Sequence, residues 1–127
     1  MSDTVTEGIR IRAMPEYVAD RSQPDAGQYF FAYSITISNE GHEPAKLISR
    51  HWVVSDSTGK QQHVRGPGVV GEQPRLEPGQ QFQYTSFCPL PTAVGAMHGE
   101  FQMVRDDGAE FDARIEPFTL AVPHALN

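Results

Sequence analysis

The chain has little cysteine, little positive charge and almost no uninterrupted apolar sequence. Its single cysteine, Cys88, permits no internal disulfide and no cysteine-built zinc cluster. The longest purely apolar run is the five residues Tyr29-Phe30-Phe31-Ala32-Tyr33, against the ~20 that a membrane-spanning helix needs. Lys+Arg number 10 against 16 Asp+Glu, a net charge of −6, which disfavours a nucleic-acid module with its basic stripe and binding to an anionic membrane surface. The opening Met1-Ser2-Asp3-Thr4 lacks the basic-then-apolar order of a secretory signal, so a cytoplasmic, reducing location is expected. Helical periodicity is missing too: no window of helical length shows a 3.6-residue period without an interrupting Gly or Pro.

What the chain does have is turn chemistry between short alternating stretches. Its 11 glycines and 10 prolines fall between apolar segments, as in a protein of many short strands. Residues 8–18 alternate through Ile9, Ile11 and Ala13, and Pro15, which cannot donate to a ladder, predicts an edge or a bulge there. Residues 29–39 are the clearest strand. Phe31, Tyr33, Ile35 and Ile37 share one face, while Ala32, Ser34, Thr36 and Ser38 share a wet one.

Further strands are expected at 46–56, 60–65, 80–88, 97–103 and 110–121, with turns at Ser57-Thr58-Gly59 and Asp106-Asp107-Gly108. In the last strand the apolar parity flips at Pro117, which predicts a bulge or a change of partner. Seven strands in 127 residues predict one all-β domain over residues 1–127, with its core from about 8 to 122. The expected architecture is an antiparallel, immunoglobulin-like or fibronectin type III-like β-sandwich. The segment Leu76-Glu77-Pro78-Gly79-Gln80-Gln81-Phe82 resembles the corner before a late strand of fibronectin type III domains. Phe82 stands there in place of the tyrosine whose hydroxyl ties back to the loop.

Candidate chemistry is sparse. Gly66-Pro67-Gly68-Val69-Val70-Gly71 spells G-x-G-x-x-G, but no helix is expected after it and Pro67 removes one backbone donor, so the dinucleotide context is missing. An anion nest of successive amides at Gly66, Gly68 and Gly71, with Arg65 and Arg75 adding charge, is the remaining phosphate reading. His42, His51, His63, His98 and His124 form no metal-ligand pair by spacing, so no metal is expected. Arg50-His51-Trp52 places a packing tryptophan beside polar neighbours. Arg50, His51, His63 and Arg75 are therefore the candidates for an interaction patch around the glycine loop. Cys88 shares parity with Phe82 and Tyr84 and reads as a buried, inert thiol. Asp106, Asp107 and Asp112 read as turn and solvated-face residues; no catalytic residue and no cofactor are expected.

Taken together, Ser49-Arg50-His51-Trp52, residues 65–74, Leu76-Glu77-Pro78-Gly79 with Tyr84-Thr85-Ser86, Met97-His98-Gly99 and Phe118-Thr119-Leu120 resemble the bacterial ApaG family, over about Gly8 to Val122. The resemblance implies a free-standing member with a fibronectin type III-like sandwich, of a domain type that serves in protein interaction when attached to eukaryotic modules. It also implies an association with cobalt resistance, magnesium efflux and diadenosine tetraphosphate hydrolysis, and a pyrophosphate proposal that falls on Gly66, Gly68 and Gly71. The expected function is a non-enzymatic interaction or accessory module with an unidentified protein partner. The alternative is a binder of a small anion, pyrophosphate or a nucleotide, at the Gly66–Gly71 loop.

Overall fold

The computed structural model describes residues 1–125; the last two residues of the predicted 1–127 domain lie outside the described residues. Among the described residues nine strands are formed: β1 (Ser2–Thr6), β2 (Ile9–Tyr17), β3 (Tyr29–Asn39), β4 (Ala45–Asp56), β5 (Gln61–Pro67), β6 (Arg75–Leu76), β7 (Gln81–Leu90), β8 (Val94–Arg105) and β9 (Glu110–Ala121). They make two antiparallel sheets, β1-β2-β3-β7 and β5-β4-β8-β9, with β6 paired to β4. This is the predicted β-sandwich. The two unexpected strands are a polar one, β1, whose apolar alternation is too weak to read, and a two-residue one, β6.

The core follows from the pleat. Ile9, Ile11, Phe31, Ile35 and Ile37 of one sheet face Leu47, Trp52, Phe101, Met103, Ile115 and Leu120 of the other, all at 2% exposure or less. Trp52 sits among Tyr33, Phe118 and Phe101, with ring centroids 5.3, 6.0 and 6.2 Å away in edge-on arrangements. β2 lies between β1 and β3 and is not the edge strand that Pro15 predicts, nor does it bulge, but β1's pairing stops at Ser2↔Ala13, so the proline falls where one side of β2 is locally free. The register slip at Met97/Gly99 sets residues 116 and 117 against His98 alone, which is the bulge that the parity flip at Pro117 predicts.

A second bulge, unmarked by Gly or Pro, matters more. Leu47 pairs with Met103 and Ser49 with Gln102, leaving Ile48 extra and 37% exposed. Before the bulge Ala45 and Leu47 face the core; after it the inward set becomes Arg50, Trp52 and Val54. One inserted residue thus turns an arginine toward the interior.

The corner before β7 is held without a tyrosine. Asn39, 1% exposed, donates from Nδ2 to the carbonyls of Glu43 (2.8 Å) and Leu76 (2.9 Å) and accepts from Gly41 N–H (3.0 Å). Its own backbone bonds Gln80 and Gly79. Among the described residues no helix is long and apolar enough to cross a membrane.

Candidate functional site

The glycine segment is a strand end followed by a tight turn, and the amides of Gly68 and Val69 are committed internally. Gly66 belongs to β5 opposite Arg50, and a Cβ there would stand 2.9 Å from Arg50 Nη2. The glycine makes room for a guanidinium. The Gly68 amide donates to Ile48 O (2.9 Å). Val69 and Glu72 exchange two 2.8 Å backbone bonds across Val70 (φ +44°) and Gly71 (φ +81°), a two-residue turn with both central residues left-handed. Residues 72–74 then run toward β6, with no helix. The segment turns carbonyls, not amides, toward the nearest cation: Arg50 Nη1 donates to Pro67 O and Gly68 O, each at 3.0 Å. The amides of Gly68 and Val69 are spent, so the Gly68 amide is not available to the anion nest expected of Gly66, Gly68 and Gly71.

The other candidates separate as well. Arg65 pairs with His51 in register, so both lie on the outer face of the β5-β4-β8 sheet while Arg50 points inward. On that outer face a chain forms: His51 Nδ1 lies 2.7 Å from Glu100 Oε1, and His51 Nε2 lies 2.9 Å from His63 Nδ1, with the rings stacked at 5.2 Å. With Glu100 ionised and both rings neutral, His51 donates to the carboxylate and accepts from His63, which fixes both tautomers. Arg75 is elsewhere, bonded to Asp106 and Glu77. The expected single patch of Arg50, His51, His63 and Arg75 is therefore corrected: Arg75 lies apart, His51 and His63 share the outer face, and Arg50 turns inward while also bordering a hollow of about 660 Å³ with Arg65 and Glu100. The Ile48 bulge inverts Arg50 relative to His51, and the β6 pairing carries Arg75 away. Among the described residues no His/Cys/Asp/Glu group of three or more is placed to hold a metal ion.

Two features stand out that spacing did not show. The first is a cleft between β5 and β7, the free edges at the same end of the two sheets. A cavity of about 410 Å³ is lined there by Arg50, Tyr33, Tyr84, Ser86, Trp52 and the 67–71 turn. It adjoins a second of about 270 Å³ that runs along Val64, Cys88 and Met97. Burial raises the Tyr84 hydroxyl pKa well above its usual range, neighbouring Tyr33 adds to this, and the Arg50 charge opposes it. Tyr33 is also raised, by burial, against a Ser86 hydrogen bond and Arg50. Burial pushes the Cys88 thiol up to about 11, in keeping with the inert thiol that its parity predicts. The sequence signal for this cleft was Ser86, a polar residue on the inward parity of Tyr84 and Cys88.

The second feature lies on the outer face of the β3-β7 pair. Phe30 and Phe87 stack at 5.4 Å, Phe87 is 50% exposed, and the Arg21 guanidinium sits 4.6 Å over Phe30 and 5.6 Å from Phe87. Beside them Arg21, Tyr29, Pro89, Leu90 and Pro91 border a cavity of about 350 Å³. Both phenylalanines occupy the wet parity of their strands, which is the signal that could have found them.

Comparison with known proteins agrees across the chain. The family model described as the ApaG domain matches residues 19–105. The chain is 51% identical to Protein ApaG of Anaeromyxobacter dehalogenans (strain 2CP-C) and 53% identical to Protein ApaG of Azoarcus sp. (strain BH72), in each case over 127 residues and 100% of both chains. Among solved structures, the ApaA protein from Bordetella pertussis superposes with a TM-score of 0.90 at 46% identity, covering 92% of this chain and 95% of that one.

Proposed function

Because the chain belongs to the ApaG family, we propose that it is a non-enzymatic protein-interaction module that meets its partner through the Phe30-Phe87-Arg21 face. The observation that carries this is the exposed aromatic pair itself. A half-exposed Phe87 stacked on Phe30 under an arginine gives a solvent-facing cluster of the residue types that dominate interface energies. The neighbouring 350 Å³ hollow, bordered by two prolines and a leucine, offers a partner side chain a place to seat. The non-enzymatic part is supported by the burial that pushes the Cys88 thiol up and by the internal bonds of the Gly68 and Val69 amides. In this reading the association with cobalt resistance and magnesium efflux is an accessory role exercised through the partner, in the cytoplasm.

The test is capture from the host extract with the intact protein and with Phe87→Ser combined with Arg21→Glu. Both positions are on the surface, so the variant folds normally by circular dichroism. Its partner recovery is expected to fall at least tenfold, the loss of one aromatic hot spot. Equal recovery by the two proteins would contradict the assignment.

A further inference from the structure

Arg50 is a cation facing the interior of a sandwich, and among the described residues no carboxylate comes within salt-bridge distance of it. Of its five N–H groups, the two on Nη1 are held by the carbonyls of Pro67 and Gly68, both at 3.0 Å. The Nε–H and the N–H groups of Nη2 bond no acceptor among the described residues. That leaves the Nε/Nη2 edge, one of the two forks by which a guanidinium takes a carboxylate bidentately. The two carbonyl bonds hold the group's orientation, so little side-chain freedom remains to be lost on binding.

A second observation points the same way. The hydroxyl of Tyr84, a residue 8% exposed, is buried without a hydrogen-bond partner, and Tyr84 lines the same cavity as Arg50. An unsatisfied buried hydroxyl is destabilising, and a bound acceptor would remove that cost. Arg50 is the only charged residue lining this cavity or its neighbour. The charge balance therefore suits a monoanion better than a diphosphate, whose several charges would meet one cation. Trp52, Val54, Val64 and Met97 give the walls an apolar stretch, beside the polar Gln62 and Ser86, that suits an apolar body behind the anionic head.

We propose that the cleft between β5 and β7 binds a carboxylate with an apolar substituent, the carboxylate bridging the Nε/Nη2 edge of Arg50 and the Tyr84 hydroxyl. The substituent lies along the Val64-Cys88-Met97 extension. The site meets the outer Phe30-Phe87 face only at Phe87 and Pro89, which border its extension, and it does not call on the glycine amides. Its ligand is either a free small carboxylic acid or the carboxyl terminus of a polypeptide.

Trp52 is the chain's only tryptophan and borders the cleft, so its emission reports occupancy. Titration of the full chain with sodium benzoate is expected to shift that emission saturably at millimolar concentration. Inorganic phosphate and pyrophosphate at equal ionic strength are expected to bind at least tenfold more weakly. Arg50→Gln should abolish saturation. Because that change also removes the bonds to Pro67 and Gly68, Tyr84→Phe serves as the second variant. It keeps the packing, and the loss of a charge-assisted bond is expected to weaken benzoate roughly tenfold. A short peptide with an apolar last residue, compared with its C-terminal amide, separates the two sources. Binding by the free-acid peptide alone identifies a chain terminus, and binding by benzoate alone identifies a small acid. Absence of saturation with every carboxylate, tighter binding of pyrophosphate, or unchanged benzoate affinity in Tyr84→Phe would each overturn the proposal.

Discussion

At the scale of single residues, two side chains sit where their chemistry is under load. Val70 is β-branched, 55% exposed and held at φ +44°, a region that such residues seldom enter. Left-handed backbone costs roughly 1–2 kcal/mol for an L-residue, and the entropy that glycine gives the unfolded chain offsets about half of that. Val70→Gly is therefore expected to raise stability by up to about 1 kcal/mol, read from urea midpoints at unchanged slope. A loss of stability would show that the Val70 side chain packs on the cleft more firmly than its exposure indicates. Cys88 makes a prediction in pH. Its unfolded thiol ionises near about 8.5, while its folded value is about 11. Between these values the native state keeps a proton that the unfolded state has released. Stability is thus full below the lower value and falls as pH rises toward the upper one. Cys88→Ser should flatten the fall in melting temperature over that window, and an unchanged slope would assign the loss to other groups.

At the scale of elements, the connection between β3, β6 and β7 hangs on Asn39, whose amide satisfies two carbonyls and one amide in a buried corner. Asn39→Ala leaves these groups unpaired and is expected to cost about 2–4 kcal/mol in chemical denaturation. A cost below about 1 kcal/mol would mean that water replaces the amide. Much of this architecture was legible in the sequence, because period-two alternation reports burial directly. Residues 29–39 and the bulge at Pro117 could both be read that way. β1 could not, since Ser2–Thr6 carries little apolar alternation and is held by pairing to β2 and by the Thr6 hydroxyl accepting from Arg114 N–H on β9. The candidate site was harder still. The bulge at Ile48 has no Gly or Pro to announce it, so the sequence groups Arg50 with His51 although the two face opposite sides. The glycines of the G-x-G-x-x-G string were visible, but their reasons, room for a guanidinium at Gly66 and a left-handed turn at Gly71, depend on partners distant in sequence.

At the scale of the whole molecule, the sandwich is closed along one side and open along the other. β9 packs against β1 and β2, whereas β5 and β7 leave a cleft between their edges. β7 contributes to both proposed surfaces, turning Tyr84, Ser86 and Cys88 into the cleft and leaving Phe87 half exposed at its rim, stacked on Phe30. One strand can in this way present a partner-binding face and a small-ligand site without either using the glycine amides. The most direct test is a proton–nitrogen correlation spectrum that resolves the Arg50 Nε–H signal and the backbone amides of 66–71, recorded during titration with benzoate and then with pyrophosphate. The account predicts a large, saturable displacement of the Arg50 Nε–H signal with benzoate, with only small shifts at Gly68 and Val69, whose amides stay bonded to Ile48 and Glu72. Saturable movement of the Gly66, Gly68 and Gly71 amides with pyrophosphate, while Arg50 Nε–H stays still, would contradict it.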